Sequence, residues 1–268
     1  MPTFRIVTNK PVAIDSPDHL LPWGTARDNS VNLAFNKKLI RLIPVSQLRV
    51  LDLGCAGGGF VKSILAQGGF AIGVEGSDYS RVRKRAEWAT IPDHLFTADI
   101  TEPFWLLEEG AQNQERPLQF NVITGWEIIE HVREEQLACV CENIMRHLST
   151  GGLVIMSVSP LEDVIKGVRL HQTVKQKEWW IAKFEELGLI HHESLCGYFG
   201  IDWIRGGFNA PGSEHLVMTK AAEKKVIDDK IRSLKLTIWE RVRSKAGIGI
   251  NKLFFKLFLL KAALSGKK

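Results

Sequence analysis

The chain has 268 residues, 45% of them hydrophobic, and a formal net charge of +5. It is long enough to bury a full α/β core with an appendage. The charge is uneven: residues 220–268 carry 14 Lys/Arg against 4 Asp/Glu, a net of +10, which leaves residues 1–219 at −5. The high isoelectric point therefore belongs to the tail, and it excludes reading the globular part as a basic nucleic-acid footprint. Cys55, Cys139, Cys141 and Cys196 form no C-x-x-C pair, which predicts reduced thiols in a cytoplasmic protein. Met1-Pro2-Thr3-Phe4-Arg5 lacks the apolar run of a signal peptide, and no internal repeat or low-complexity tract is present.

In chain order, residues 1–22 mix polarities around Pro2, Pro11, Pro17 and Pro22 and predict an irregular arm. Leu33, Leu39, Ile40 and Ile43 predict a short helix that ends before Pro44. Strands are expected at 49–54, 70–75, 94–98, 120–125, 152–158, 190–196 and 214–219, with helices at 59–67, 80–88, 134–148 and 176–187. This alternation predicts a parallel sheet with helices on both faces. The segment Gly197 to Gly212 joins the last two strands without a long helix, which predicts a closing antiparallel hairpin. Three parts are expected: an N-terminal arm and lid (1–44), a ligand-binding domain (45–220) and a basic amphipathic helical tail (221–268).

The densest signal is Val50-Leu51-Asp52-Leu53-Gly54-Cys55-Ala56-Gly57-Gly58-Gly59-Phe60, followed by Gly73-Val74-Glu75-Gly76-Ser77. An apolar strand enters a glycine-rich turn that opens a helix, and a second strand ends in an acid 21 positions after Gly54. Such a unit binds nucleosides: glycines admit the ligand, the helix start receives an anion, and the acid accepts ribose hydroxyls. G-x-G-x-x-G fails in every register, and G-x-x-x-x-G-K-[ST] is absent.

The D-x-G-x-x-x-G-x pattern resembles the first motif of class I S-adenosylmethionine (SAM) methyltransferases. The resemblance covers roughly residues 45–220. It implies a seven-stranded, mostly parallel Rossmann-like sheet with a C-terminal antiparallel strand. It also implies a cofactor site: Gly54, Ala56 and Gly57 under SAM, the methionine carboxylate near Gly58, and Asp52 toward the methionine ammonium. Glu75, with Gly76 and Ser77, would meet the ribose, Asp99 the adenine amino group, and Ile100 the adenine ring. Trp126, ending the fourth strand, would pack on cofactor or acceptor.

Trp126-Glu127-Ile128-Ile129-Glu130-His131-Val132 is similar to the W-E-x-x-E-H segment of the ubiquinone-biosynthesis O-methyltransferase group. In a helical turn Glu127 converges with Glu130 or His131. The resemblance implies either a divalent metal, Mg²⁺ or Mn²⁺ or Zn²⁺, held by Glu127, Glu130, His131 and His171, or a metal-free site. In the metal-free site His131 or His171 is the base, and Glu127 is a third catalytic candidate. Around the cofactor, His19, Trp23 and Arg27 of the arm are lid candidates. Tyr198, Phe199, Asp202, Trp203, Arg205 and Asn209 are acceptor-pocket candidates.

In the tail, Ile227, Ile231, Leu234, Ile238 and Val242 recur at helical spacing, and Phe254, Phe255 and Phe258 follow among lysines. That run is too short to span a bilayer. It suits a helix lying on the inner face of a membrane, docking on the core, or a dimer contact. The expected activity is O-methylation of a small polar molecule, a glycan unit or a lipid-linked precursor. The alternatives are a metal-assisted RNA 2′-O-methyltransferase, which the acidic globular part disfavours, and a non-catalytic scaffold of the same fold.

Overall fold

The computed structural model describes residues 3–109, 117–205 and 210–223, with Phe255, Lys256 and Leu259 of the tail. Its elements run β1 (Phe4–Thr8), α1 (Pro17–Leu20), α2 (Leu33–Leu42), β2 (Arg49–Leu53), α3 (Gly59–Leu65), β3 (Phe70–Glu75), α4 (Tyr79–Val82), β4 (Leu95–Thr97) and β5 (Phe104–Glu108). After these come β6 (Phe120–Trp126), α5 (Leu137–His147), β7 (Leu148–Val158), β8 (Val164–Ile165), β9 (Val168–Arg169), α6 (Lys177–Glu186), β10 (Leu189–His191), α7 (Glu193–Phe199) and β11 (Glu214–Lys220).

Seven strands form one sheet in the order β10-β11-β7-β6-β2-β3-β4. β2 pairs in parallel with both β3 and β6, and β6 pairs in parallel with β7. β11 runs antiparallel to both neighbours, β7 and β10. Six strands therefore share one direction and one is reversed. The central strands are apolar and buried on both faces, as strands covered by helices must be: all four residues Val50–Leu53 of β2 are buried. One core layer joins α2, α3 and α7 to the sheet. The opposite layer joins α5 and α6.

Four local expectations are corrected. The arm is not wholly irregular: Phe4 to Thr8 pairs antiparallel with β5 to form a separate two-stranded sheet. The cause is the alternation Phe-Arg-Ile-Val, which turns Phe4 and Ile6 onto the core. The expected helix at 80–88 stops at Val82, because Lys84 and Ala86 take positive φ (48° and 49°). The next turn is drawn instead to the glycine-rich turn after β2: Glu87 N–H donates to Gly57 O and Trp88 Nε1 donates to Ala56 O. The expected strand 190–196 ends at His191, and α7 follows, burying Leu195, Cys196, Tyr198 and Phe199 at helical spacing. The expected helix 134–148 is a 3₁₀ turn at Glu134–Gln136 followed by α5, and β7 begins at Leu148.

Phe35 of α2 is fully buried where the layer beside the cavity is densest in aromatic rings. Its ring stacks on Phe199 at 4.9 Å and meets Trp126 edge-on at 5.2 Å and Phe60 at 5.8 Å. Phe35→Ala is expected to destabilise the fold by about 3–5 kcal/mol, read as a lowered midpoint in urea unfolding. A loss under about 1 kcal/mol would show that this layer is not packed as described.

Candidate active site

The chain reverses its order of strand addition between β2 and β6, and their carboxyl ends open a crevice there. A cavity of about 540 Å³ fills it. Gly54, Ala56, Glu75, Gly76, Ser77, Asp99, Ile100 and Trp126 line one part, and Glu127, His131 and His171 line another. Of the candidates for the cofactor and the metal, Asp52, Gly57, Gly58 and Glu130 do not line it.

The turn after β2 is held in an unusual conformation. Gly54 has φ +70°, and a Cβ there would overlap the Ile128 side chain. Ala56 is left-handed (φ 46°) despite its side chain, at a cost of about 1–2 kcal/mol. That strain is offset by Glu75, whose Oε2 accepts the Ala56 N–H at 2.7 Å. Glu75 Oε1 accepts the Ser77 N–H and the Thr25 hydroxyl, each at 3.3 Å. The carboxylate is 6% exposed; burial pushes its pKa up, and the Ala56 and Ser77 bonds oppose the rise. Gly57 faces Asn29 and Arg85 of the surrounding chain rather than the cavity, and Gly58 faces Leu95 and Glu87.

Asp52 lies beneath the crevice, 2% exposed, and accepts the Thr124 hydroxyl at 2.6 Å. Burial pushes its carboxyl up to about 8, against the Thr124 bond, with Asp28 and Glu75 adding to the rise. Asp99 lines the cavity and caps a turn, accepting from Thr101 N and Oγ1.

At the end of β6, Glu127 is also left-handed (φ 56°), held by a bond from its N–H to Ser157 Oγ at 3.0 Å. The next turn buries Glu130 completely. Glu130 Oε1 accepts the Ser159 N–H at 2.9 Å, while Oε2 has no partner. Burial, then the Glu127 charge, raises its carboxyl to about 8, with His131 opposing. His131 Nδ1 lies 2.7 Å from Asp18 Oδ2 of α1. Burial disfavours the imidazolium, but the Asp18 bond and charge outweigh it and hold His131 at about 9. His171 sits edge-on to His131, ring centroids 4.7 Å apart, with Nδ1 2.5 Å from Leu161 O. Burial and the His131 charge lower its pKa.

The donor set suits a divalent metal in part. Glu130, His131 and His171 bring ligand atoms within 4.8 Å of one another, and Glu127 is not among them. Both imidazoles anchor Nδ1 on an oxygen, the outer-shell arrangement that leaves Nε2 for a metal, and the orphaned Glu130 Oε2 supplies the carboxylate.

Sequence reasoning offered His19, Trp23 and Arg27 of the arm as lid candidates but missed the arm's backbone ties and its acids Asp18 and Asp28. Ala13 N–H donates to Gly76 O, Asp99 N–H donates to Lys10 O, and Ser77 Oγ meets His19 Nδ1 at 3.3 Å. Asp18 and Asp28 also line the cavity, as does Trp23, whereas Arg27 stacks on Trp23 at 3.4 Å. Tyr198, Phe199 and Trp203 are core residues rather than pocket residues. Asp202 pairs with buried Lys38 at 2.9 Å, Arg205 lines the cavity, and Asn209 lies outside the described residues. No local pattern signals that Lys38, a helix lysine, would point inward to Asp202 and Phe199 O.

A family model for the methyltransferase domain matches residues 26–199. The chain belongs to that family, the class I S-adenosylmethionine-dependent methyltransferases. It is 30% identical over 113 residues to a ubiquinone biosynthesis O-methyltransferase of Nitrosomonas europaea, covering 42% of this chain and 44% of that protein. A protein of the same name from Bartonella quintana is 28% identical over 105 residues, 39% of each chain. The match thus spans less than half the length of these relatives. Among solved structures, the sugar N-methyltransferase KedS8 from Streptoalloteichus is 15% identical, with a TM-score of 0.47 over 75% of this chain and 91% of that one.

Two outcomes follow for the cofactor end. Glu75→Ala is expected to weaken SAM binding by about 2–4 kcal/mol in calorimetric titration, because it removes a charged acceptor and loosens the Ala56 turn. Affinity equal to wild type would refute the expectation that Glu75 meets the ribose. Asp52→Asn tests burial of the carboxyl. The folded state keeps its proton up to about 8 while the unfolded chain ionises near 3.8, so wild-type stability falls as pH rises between those values. The stability advantage of Asp52→Asn is expected to grow from pH 4 to pH 8 across about that interval, and a pH-independent difference would contradict it.

Proposed function

We propose that this methyltransferase moves the methyl group of SAM to a hydroxyl of a small polar acceptor, with His171 as general base. One observation carries the reading. His171 Nδ1 faces the carbonyl of Leu161, an acceptor only, so Nδ1 carries the proton and Nε2 keeps a lone pair. The lowered pKa favours that neutral form. His131 plays a different part: paired with Asp18 it is cationic and serves as a fixed donor beside the base. The acceptor oxygen attacks the methyl carbon in line, the carbon–sulfur bond breaks with its electrons going to sulfur, and the hydroxyl proton passes to His171 Nε2. Such a displacement depends chiefly on alignment, with the base adding about 10²–10⁴-fold.

Asp52 and Asp28 are proposed to face the methionine ammonium, Gly54, Ala56 and Trp126 the methionine and sulfonium, Glu75, Gly76 and Ser77 the ribose, and Asp99 and Ile100 the adenine. Thr25 now holds the Glu75 oxygen that a ribose hydroxyl would take. Residues 1–44 are proposed as the lid. Support for a hydroxyl acceptor comes from the relatives named for O-methylation in ubiquinone biosynthesis.

A second reading rests on the same cluster: a divalent metal held by Glu130, His131 and His171. Bound there, it would lower the acceptor hydroxyl's pKa and fix its position. An RNA acceptor is disfavoured because acids such as Asp15, Asp18, Asp28, Asp99, Glu162 and Asp163 line the cavity and would repel phosphates.

Among the described residues no helix is long and apolar enough to cross a membrane. The helical membrane-surface expectation for 221–268 otherwise lies outside the described residues, but Phe255 packs against Gly212, beside Pro211 of the cavity wall. Peripheral attachment remains a proposal supported by the pattern of lysines and phenylalanines, and co-sedimentation of the full chain with anionic vesicles tests it.

Transfer from labelled SAM to a panel of phenols, catechols and sugars, extended to a cell extract, tests the activity. His171→Ala is expected to keep SAM affinity and lower turnover about 10²–10⁴-fold. Unchanged turnover would remove the base. If excess chelator abolishes activity and Mg²⁺ or Mn²⁺ restores it, the metal reading replaces the metal-free one.

A further inference from the structure

A second cluster of metal-type donors lies away from the cavity, where β10 ends and α7 begins. His191 is the last residue of β10, and Glu193 and Cys196 lie one turn apart on α7. None of the three lines the cavity. His191 Nε2 is 3.0 Å from Glu193 Oε2 and 4.0 Å from Cys196 Sγ, so a single nitrogen faces both an oxygen and a sulfur. The ligand atoms of all three lie within 4.8 Å of one another. The His191 side chain is 7% exposed, and its other nitrogen, Nδ1, is buried with no partner. Nothing in the methyl-transfer reading uses these groups.

We propose that His191, Glu193 and Cys196 bind a zinc ion. The separations are near those that zinc demands. Bonds of about 2.05 Å to nitrogen, 2.0 Å to carboxylate oxygen and 2.3 Å to sulfur at tetrahedral angles place N and O about 3.3 Å apart and N and S about 3.6 Å apart. The observed 3.0 Å and 4.0 Å are reached by shifts of about 0.3–0.4 Å, within the freedom of an exposed glutamate and one cysteine rotamer. The mixed thiolate, imidazole and carboxylate set suits zinc and is poor for Mg²⁺ or Ca²⁺, which take oxygen ligands. Three protein ligands leave the fourth position to water, on the side where Glu193 is 74% exposed.

Two groups must give way. The Cys196 thiol now donates to His215 O at 3.3 Å, and on coordination it releases its proton to solvent and binds as thiolate. Lys177 Nζ lies 2.7 Å from the same Glu193 oxygen and competes for it. The bound ion would tie the end of an edge strand to the helix that carries Tyr198 and Phe199 into the core.

The test uses cobalt as a spectroscopic stand-in for zinc on the chelator-stripped, desalted full chain. One equivalent of Co²⁺ is expected to give tetrahedral visible bands and a near-ultraviolet thiolate-to-cobalt band, which Zn²⁺ displaces. The Glu130, His131 and His171 cluster has no sulfur, so it cannot produce the thiolate band. Cys196→Ser is expected to abolish that band. Glu193→Gln, at an exposed position, is expected to preserve the fold and weaken Co²⁺ binding by about tenfold or more. Lys177→Ala is expected to tighten it severalfold. A folded wild-type chain without the thiolate band would overturn the proposal, as would a band that survives Cys196→Ser. If Cys196→Ser fails to fold, Glu193→Gln and His191→Gln decide, and affinities equal to wild type in both would overturn it.

Discussion

The site depends on one buried carboxylate. Glu75 ends β3, and its two oxygens gather the N–H of Ala56, the N–H of Ser77 and the hydroxyl of Thr25. These groups come from three separate segments: the turn after β2, the turn after β3 and the N-terminal arm. The Ala56 bond holds a non-glycine residue in a left-handed conformation that the sequence alone would not choose. The turn then presents its carbonyls to Trp88 and Glu87, which brace it from behind. Loss of the carboxylate would therefore disturb the floor, the rim and the covering arm of the crevice together.

Around it the protein concentrates acid where solvation is poor. Asp52, Glu75 and Glu130 are all buried, and burial is the leading cause of each raised pKa. Two buried carboxyls poised near 8 make a site with a standing demand for positive charge. In the proposed complex, the sulfonium and ammonium of the cofactor would answer that demand at the β2 end. At the β6 end, the His131 imidazolium paired with Asp18 answers it in part.

The sheet was legible because its signals are local and repeated. Alternating apolar runs and helical stretches placed all seven strands of the main sheet, the reversed β11 among them. The Gly54-to-Glu75 spacing located the crevice. What the sequence did not show was tertiary in origin. Lys84 and Ala86 leave the helical region because Trp88 and Glu87 bond to the neighbouring turn. The aromatic residues after Gly197 look like pocket residues by composition, yet Tyr198 bonds to Lys38 O and Phe199 stacks on Phe35. The partnership of Asp18 with His131 joins positions more than a hundred residues apart, and no local pattern announces it.

The pairing of β1 with β5 bears on how ligands enter. The segment covering the crevice is fastened at both ends: upstream by a five-residue ladder to β5, downstream by α2, whose Phe35 and Leu39 are fully buried. Between those moorings it is stitched to Gly76, Ser77 and Asp99. A segment held this way behaves as a strap rather than a hinged flap. To open, such a strap would have to lose its middle bonds, and each bond regained on closing would lengthen the residence of whatever lies beneath.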